Sequence, residues 1–170
     1  MSELEILTYP DQRLQQQSTE IEVFDEKLQS FINNLEATRL AAPGCVGIAA
    51  PQVDEFVRVV IVDVSNNKKN LSHGHLIMVN PEIIEWDGFE VGREGCLSVP
   101  DYTGNVIRAK QIKLTAQNEH GEEYTIETEG FEARAIQHEI DHLDGLLFLD
   151  RLVSRRNDLF RRKVYKKKEK

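Results

Sequence analysis

Five residues, His138-Glu139-Ile140-Asp141-His142, restrict this chain more than any other segment. They lie in a run whose apolar positions are Phe131, Ala135, Ile136, Ile140 and Leu143. That spacing predicts an amphipathic helix. Gly145 stands just past its end, where a C-cap glycine is expected. On such a helix His138 and His142 are one turn apart and share a face, so both imidazoles can chelate one ion. Glu139 then sits where its carboxylate reaches water at that ion, and carboxylate and metal together make a nucleophile near neutral pH. The apolar flanks mark a helix buried over much of its surface, where two histidines and neighbouring acids without a role would be costly.

The rest of the chain reads as one domain with a tail, since it has no internal repeat and no Pro/Gly-rich boundary. Phe24, Leu28, Phe31, Ile32, Leu35 and Leu40 predict an amphipathic helix that stops near Ala42-Pro43-Gly44. Residues 57–64 are β-branched and mostly apolar, a buried strand. Leu76 to Glu90 suggests two short strands with Asp87-Gly88 as the turn. Residues 111–117 and 124–128 alternate, and His120-Gly121 between them completes a hairpin. Ser154 is placed to cap a last basic helix containing Leu159, Phe160 and Val164. A helix, many short strands and then a helix give an α+β fold: antiparallel strands packed around a central metal-binding helix, with a C-terminal helix. Residues 1–153 are the catalytic domain, and 154–170 its basic C-terminal helix or tail.

Composition excludes several classes. No apolar stretch approaches the roughly 18 residues that span a membrane. The acidic start, Met1-Ser2-Glu3-Leu4-Glu5, lacks the regions of a secretory signal, so the expected location is cytoplasmic. Residues 154–170 carry nine Lys or Arg against two acids, +7, which leaves −15 on the body of a chain whose net charge is −8. An acidic body with a basic tail is no general DNA-binding surface, but the tail offers one contact point for phosphate. Two cysteines, Cys45 and Cys96, are too few for a disulfide framework.

The third ligand decides the class of metal site. One group of zinc proteases continues with a third histidine at a position held here by Phe148. Another uses a downstream glutamate, and Glu169 in the basic tail is the only one after Glu139. Asp144, Asp150 and Asp158 remain open as downstream candidates, but they are poorly placed or stand in no ligand motif, so an upstream third ligand is expected. Cys96, in Glu94-Gly95-Cys96-Leu97-Ser98, is the best candidate, because glycine permits close backbone approach and a thiolate suits a soft or borderline metal. His73, His75 and His120 lie in polar segments and read as surface residues.

Three segments together resemble the peptide deformylase family: Cys45-Val46-Gly47-Ile48-Ala49-Ala50-Pro51-Gln52, Glu94 to Ser98, and His138 to His142 with Leu143-Asp144-Gly145 behind it. They occur in the family's order over nearly the whole chain. One position departs, since Cys45 stands where the family's strand motif has its first glycine. The resemblance implies a metal-dependent hydrolase that removes formyl groups from formyl-methionyl nascent polypeptides. It implies Cys96, His138 and His142 as ligands of one divalent ion, with water as the fourth. Ferrous iron is the family's usual metal, and zinc, nickel or cobalt also serve. It implies Glu139 as general base and acid, with Gln52 and the Leu97 N–H stabilising the oxyanion. The substrate is expected as an added strand on Val46, Gly47 and Gly95, with Val46, Ile48 and Phe131 as candidates for the methionine pocket. Glu94 and Arg108 read either as a pair that braces the cysteine loop or as a solvated pair, and Asp141 either as the partner that orients a ligand histidine or as an exposed helical acid. The tail resembles the segment by which bacterial members contact the ribosome. Two rivals remain open: a zinc metallopeptidase, and a catalytically inactive metal-binding module held at ribosomes by the tail.

Overall fold

The computed structural model describes residues 2–162. Helix α1 spans Glu26–Ala41 and is capped by Asp25, whose side chain accepts the Leu28 N–H. The strands are β1 (Gly47–Ala49), β2 (Val59–Val62), β3 (Leu76–Cys96), β4 (Val99–Gln117), β5 (Glu123–Glu129) and β6 (Leu159–Arg161), with helix α2 at Gly130–Leu143. The sheet is antiparallel in the order β1-β2-β3-β4-β5, and β6 joins the outer part of β4.

Strand β2 shows why its sequence is apolar throughout. Val60 and Val62 pack with the α2 side chains Ala133, Ile136 and Ile140, whereas Val59 and Ile61 pack with Leu28, Ile32 and Leu35 of α1. Both faces are covered, so alternation is lost. The same alternation in β1 sends Ile48 into the cluster under α1 and Ala49 into the one around α2. A third cluster, Leu7, Leu14, Cys96, Val99, Val106, Leu147 and Phe148, closes the end of the molecule near the cysteine.

Helix α2 is the centre of the fold, and residues 135–143 are all buried. Polar groups survive there because they are bonded: the Gln137 amide accepts from Ala109 N at 3.0 Å and donates to Ala109 O at 2.9 Å. The helix ends in a Schellman motif, with Leu146 N–H donating to Asp141 O and Gly145 N–H to His142 O. Gly145 has φ +77°, and a Cβ on it would lie 2.3 Å from Gln15 O. Gly145→Ala is therefore expected to cost at least about 2 kcal/mol of stability in urea unfolding, from left-handed backbone strain of ~1–2 kcal/mol plus the clash.

Two expectations are corrected. Asp87-Gly88 is not a hairpin turn, although Gly88 has φ +67°. Strand β3 runs through it, because the residues on either side both pair with β4, Asp87 with Gln111 and Phe89 with Ala109. The reversal comes instead at Leu97-Ser98, between paired Cys96 and Val99. The basic helix expected after Ser154 is also not formed in the described part of the tail. Ser154 caps only one turn, through Asn157 N–H to its Oγ and Asp158 N–H to its carbonyl. Leu159–Arg161 then extends along Tyr102–Gly104 as β6. A sheet edge offers ready ladder partners, whereas an isolated helix of this length is marginal. Val164 and residues 163–170 lie outside the described residues. Among the described residues no helix is long and apolar enough to cross a membrane.

Candidate active site

Cys96 comes from the last position of β3, and His138 and His142 from successive turns of α2. One donor atom from each lies within 4.8 Å of the others. The Cys96 Sγ to His142 Nε2 distance is 3.3 Å. Two ligands sharing a tetrahedral zinc-like ion stand about 3.6 Å apart, given metal–sulfur and metal–nitrogen lengths near 2.3 and 2.0–2.1 Å. One thiol and two imidazoles thus fit a single divalent ion of borderline softness.

Glu94 orients the set. Its Oε1 lies 2.8 Å from His138 Nδ1, which leaves the other ring nitrogen for the ion. Arg108 grips the same carboxylate through two bonds, of 3.0 and 2.9 Å, and Arg134 adds a third at 2.7 Å. Burial by itself would raise the Glu94 pKa, but the His138 and Arg108 hydrogen bonds and the Arg108 charge hold it well below the usual carboxylate range. Glu94→Gln is expected to weaken metal binding about 10–100-fold in a chelator competition, because it frees the His138 ring and leaves Arg108 short of a partner.

The expected Glu94–Arg108 pair is present, but Asp141 has another role. It bonds to Arg108 and Arg151, not to a ligand histidine, and so anchors the arginine that holds Glu94. Among the described residues His142 Nδ1 is buried with no hydrogen-bond partner. Burial and the nearby charge of His138 push the His142 pKa well down. For His138, burial also disfavours charge, but Cys96 and Glu94 outweigh it and raise the pKa. Burial and its cationic neighbours thus favour the neutral form of His142, the form in which an imidazole can donate to a metal.

Glu139 lies beside them, its Oε1 3.9 Å from His142 Nε2 and without a hydrogen-bond partner. Burial pushes its pKa up to about 7, with the His138 charge opposing. Its room depends on Gly47, where a Cβ would stand 2.8 Å from Glu139 Oε2. Gln52 is buried in the short turn Ala50–Val53 after β1. Its Oε1 accepts the Ala49 N–H at 2.9 Å, which turns Nε2 toward Ser98 Oγ at 3.1 Å and Cys96 Sγ at 3.5 Å. The N-terminal segment stitches these two loops together, with Leu7 N–H on Gln52 O and Tyr9 N–H on Ser98 O, both 2.7 Å.

A groove of about 360 Å³ opens over the donors, lined by Val46, Gly47, Gln52, Gly95, Leu97, Phe131 and Glu139 among others. Of the expected substrate contacts only Ile48 is elsewhere, because it belongs to the core under α1. Ala135 takes its place on the apolar side of the groove. Cys45 also lines it, with Sγ donating to Gly47 O at 3.1 Å. Burial and Glu139 push its pKa up to about 11, so it is a thiol at neutral pH and not a reactive thiolate. Ser98, Arg134 and the Gly47–Glu139 contact escaped sequence reading, since nothing in their spacing announces a tertiary partner. His75 bonds Glu36 at the surface, but His73 reaches the fully buried carboxylate of Glu132 and is more than a loop residue.

A carboxylate set beside a Cys-His-His donor group, on the floor of an open groove, defines a metal-dependent hydrolase. Residues 3–158 match the polypeptide deformylase family, and the chain belongs to that family. It is 41% identical over 166 residues to the peptide deformylase of Desulfotalea psychrophila, covering 98% of this chain and 97% of the relative. It is 44% identical over 153 residues to peptide deformylase 1 of Bacillus cereus, covering 90% and 94%. The structure resembles the Thermotoga maritima peptide deformylase with a TM-score of 0.83 at 37% identity, covering 91% of this chain and 100% of that one. It resembles the Legionella pneumophila enzyme at 0.82 and 39%, covering 89% and 86%.

Proposed function

We propose that this chain hydrolyses the N-terminal formyl group of formyl-methionyl nascent polypeptides in the cytoplasm, releasing formate. The observation that carries this reading is the convergence of Cys96, His138 and His142 beside Glu139 beneath a groove flanked by two strand edges. Among the described residues strand β1 pairs only with β2, and the end of β3 pairs only with β4. The open edges at Gly47 and Gly95 suit an extended peptide added between them, which reads backbone and tolerates many sequences. Val46, Phe131 and Ala135 offer apolar surface for the methionine.

Cys96, His138 and His142 would hold one divalent ion and leave a position open. Such an ion would supply Lewis acidity and would make water acidic enough to react near neutral pH. Glu139 accepts the water proton as oxygen adds to the formyl carbon. Gln52 Nε2 and the Leu97 N–H donate to the developing oxyanion, stabilising it more than the planar substrate. As the C–N bond breaks, Glu139 passes the proton to the leaving amine. Ferrous iron is the proposed native metal, and zinc, nickel or cobalt suit the same donors. The basic tail, with nine Lys or Arg in residues 154–170, is the proposed ribosome contact.

The test is anaerobic purification followed by metal analysis and an assay on formyl-Met-Ala-Ser with the same sample. Formate release proportional to bound metal supports the reading. Free amino acids instead of formate would indicate a peptidase, and metal-loaded protein that releases neither would indicate a binding module.

A further inference from the structure

One wall of the groove is positively charged, and the proposed reaction does not account for it. Arg93 and Arg162 both line the groove, yet neither belongs to the donor set. Arg93 stands on the outer face of β3. Its neighbour Gly92 faces α2 instead, where a Cβ would come within 2.9 Å of the Arg134 guanidinium. The Arg93 side chain is held by neutral partners. Its Nε donates to Asn105 Oδ1 at 3.1 Å, a terminal nitrogen donates to Thr103 Oγ1 at 3.3 Å, and the guanidinium carbon lies 3.8 Å from the Phe160 ring centre.

Arg162 follows β6, and its N–H donates to Asp101 O at 2.8 Å. Its guanidinium leans on Gly95, where a Cβ would stand 2.6 Å from a terminal nitrogen. Among the described residues no carboxylate pairs with either arginine. Glu94 does not offset them, because Arg108 and Arg134 already engage it, and Glu139 lies with the donors on the groove floor.

We infer that Arg93 and Arg162 select formylated peptides with an aspartate or glutamate in the residues that follow the methionine. The inference rests on the groove being the peptide channel proposed above. Gly95 is where an added strand meets β3, so side chains downstream of the methionine pass the wall that carries both guanidinium groups. A guanidinium presents a fork matched to a carboxylate, and Arg93 is already ordered by its ring and amide contacts, which lowers the entropy lost on binding. The overall charge of −8 repels acidic chains at a distance. The two arginines reverse that sign locally, at the point where the substrate leaves the active site.

The test compares kcat/KM of the metal-loaded protein on three C-terminally amidated peptides: formyl-Met-Ala-Ser, formyl-Met-Asp-Glu and formyl-Met-Lys-Lys. At low salt the acidic peptide is expected to lead the neutral one about tenfold, and the basic peptide to trail. The lead is expected to shrink several-fold near 1 M salt, where the screening length falls to ~3 Å. In R93A/R162A the acidic-to-neutral ratio falls to about one, whereas R93K/R162K, which keeps the charge but loses the fork and its ordering contacts, retains only part of it. Equal turnover of acidic and neutral peptides by the wild type overturns the inference alone, as does a preference that survives in R93A/R162A. Absence of formate from all three peptides overturns the deformylase reading and this inference with it.

Discussion

Glu139→Ala is expected to lower formate release by about 10³-fold or more while the protein keeps its metal, because in the proposed reaction one carboxylate serves as base in the first step and acid in the last. The geometry separates this loss from misfolding. Among the described residues Glu139 Oε1 has no hydrogen-bond partner, so removing the carboxyl breaks no hydrogen bond at that oxygen within the chain. Thermal stability is therefore expected to hold or rise in the same variant, a common trade at active sites. Metal content, Tm and formate release measured on one preparation check all three statements. A variant that unfolds, or that loses its metal, would mean that Glu139 acts chiefly as a structural or ligand residue.

Cys96→Ala is expected to abolish stable metal binding and, with it, activity. The loss should exceed the roughly 10–100-fold that follows removal of an outer partner such as Glu94, since a ligand and its negative charge disappear together. Cys96→Ser keeps the volume but replaces a thiolate with a poor hydroxyl ligand, so it is expected to behave nearly as badly. Metal stoichiometry after gel filtration against a weak chelator reads both. Full occupancy in Cys96→Ala would assign the third ligand elsewhere.

The metal-motif helix with its two candidate histidines and the β4–β5 hairpin were legible in the sequence because each carries a local period or a local motif. His138, Glu139 and His142 sit at fixed offsets on one helix, and a helix fixes their relative direction. Cys96 was legible only by combination, as it lies 42 residues before His138. What failed were features decided by tertiary partners. Ile48 carries the alternation of a strand, but nothing local says which face meets α1. Asp87-Gly88 has turn chemistry, yet β4 supplies a continuous partner and the strand runs on. Leu159 and Phe160 have helical spacing, but the open edge at Tyr102–Gly104 captures them as a strand. Asp141 lies inside the motif, yet it bonds two arginines that the motif does not announce, one of them 33 residues upstream.

The Arg108–Glu94–His138 chain also shows what the buried charges contribute. Removing two ions from water is costly, and their attraction offsets that only where the remaining bonds are satisfied. Glu94 meets that condition, with two arginines and a histidine on its two oxygens. Its bond to Nδ1 fixes the orientation of the His138 ring.

X-ray absorption at the metal edge of the anaerobically purified protein tests the central arrangement most directly. One sulfur scatterer near 2.3 Å with two imidazole nitrogens near 2.0–2.1 Å, and the sulfur missing in Cys96→Ser, is the result expected for a tetrahedral zinc-like site. A shell of only nitrogen and oxygen in the wild-type protein would contradict it.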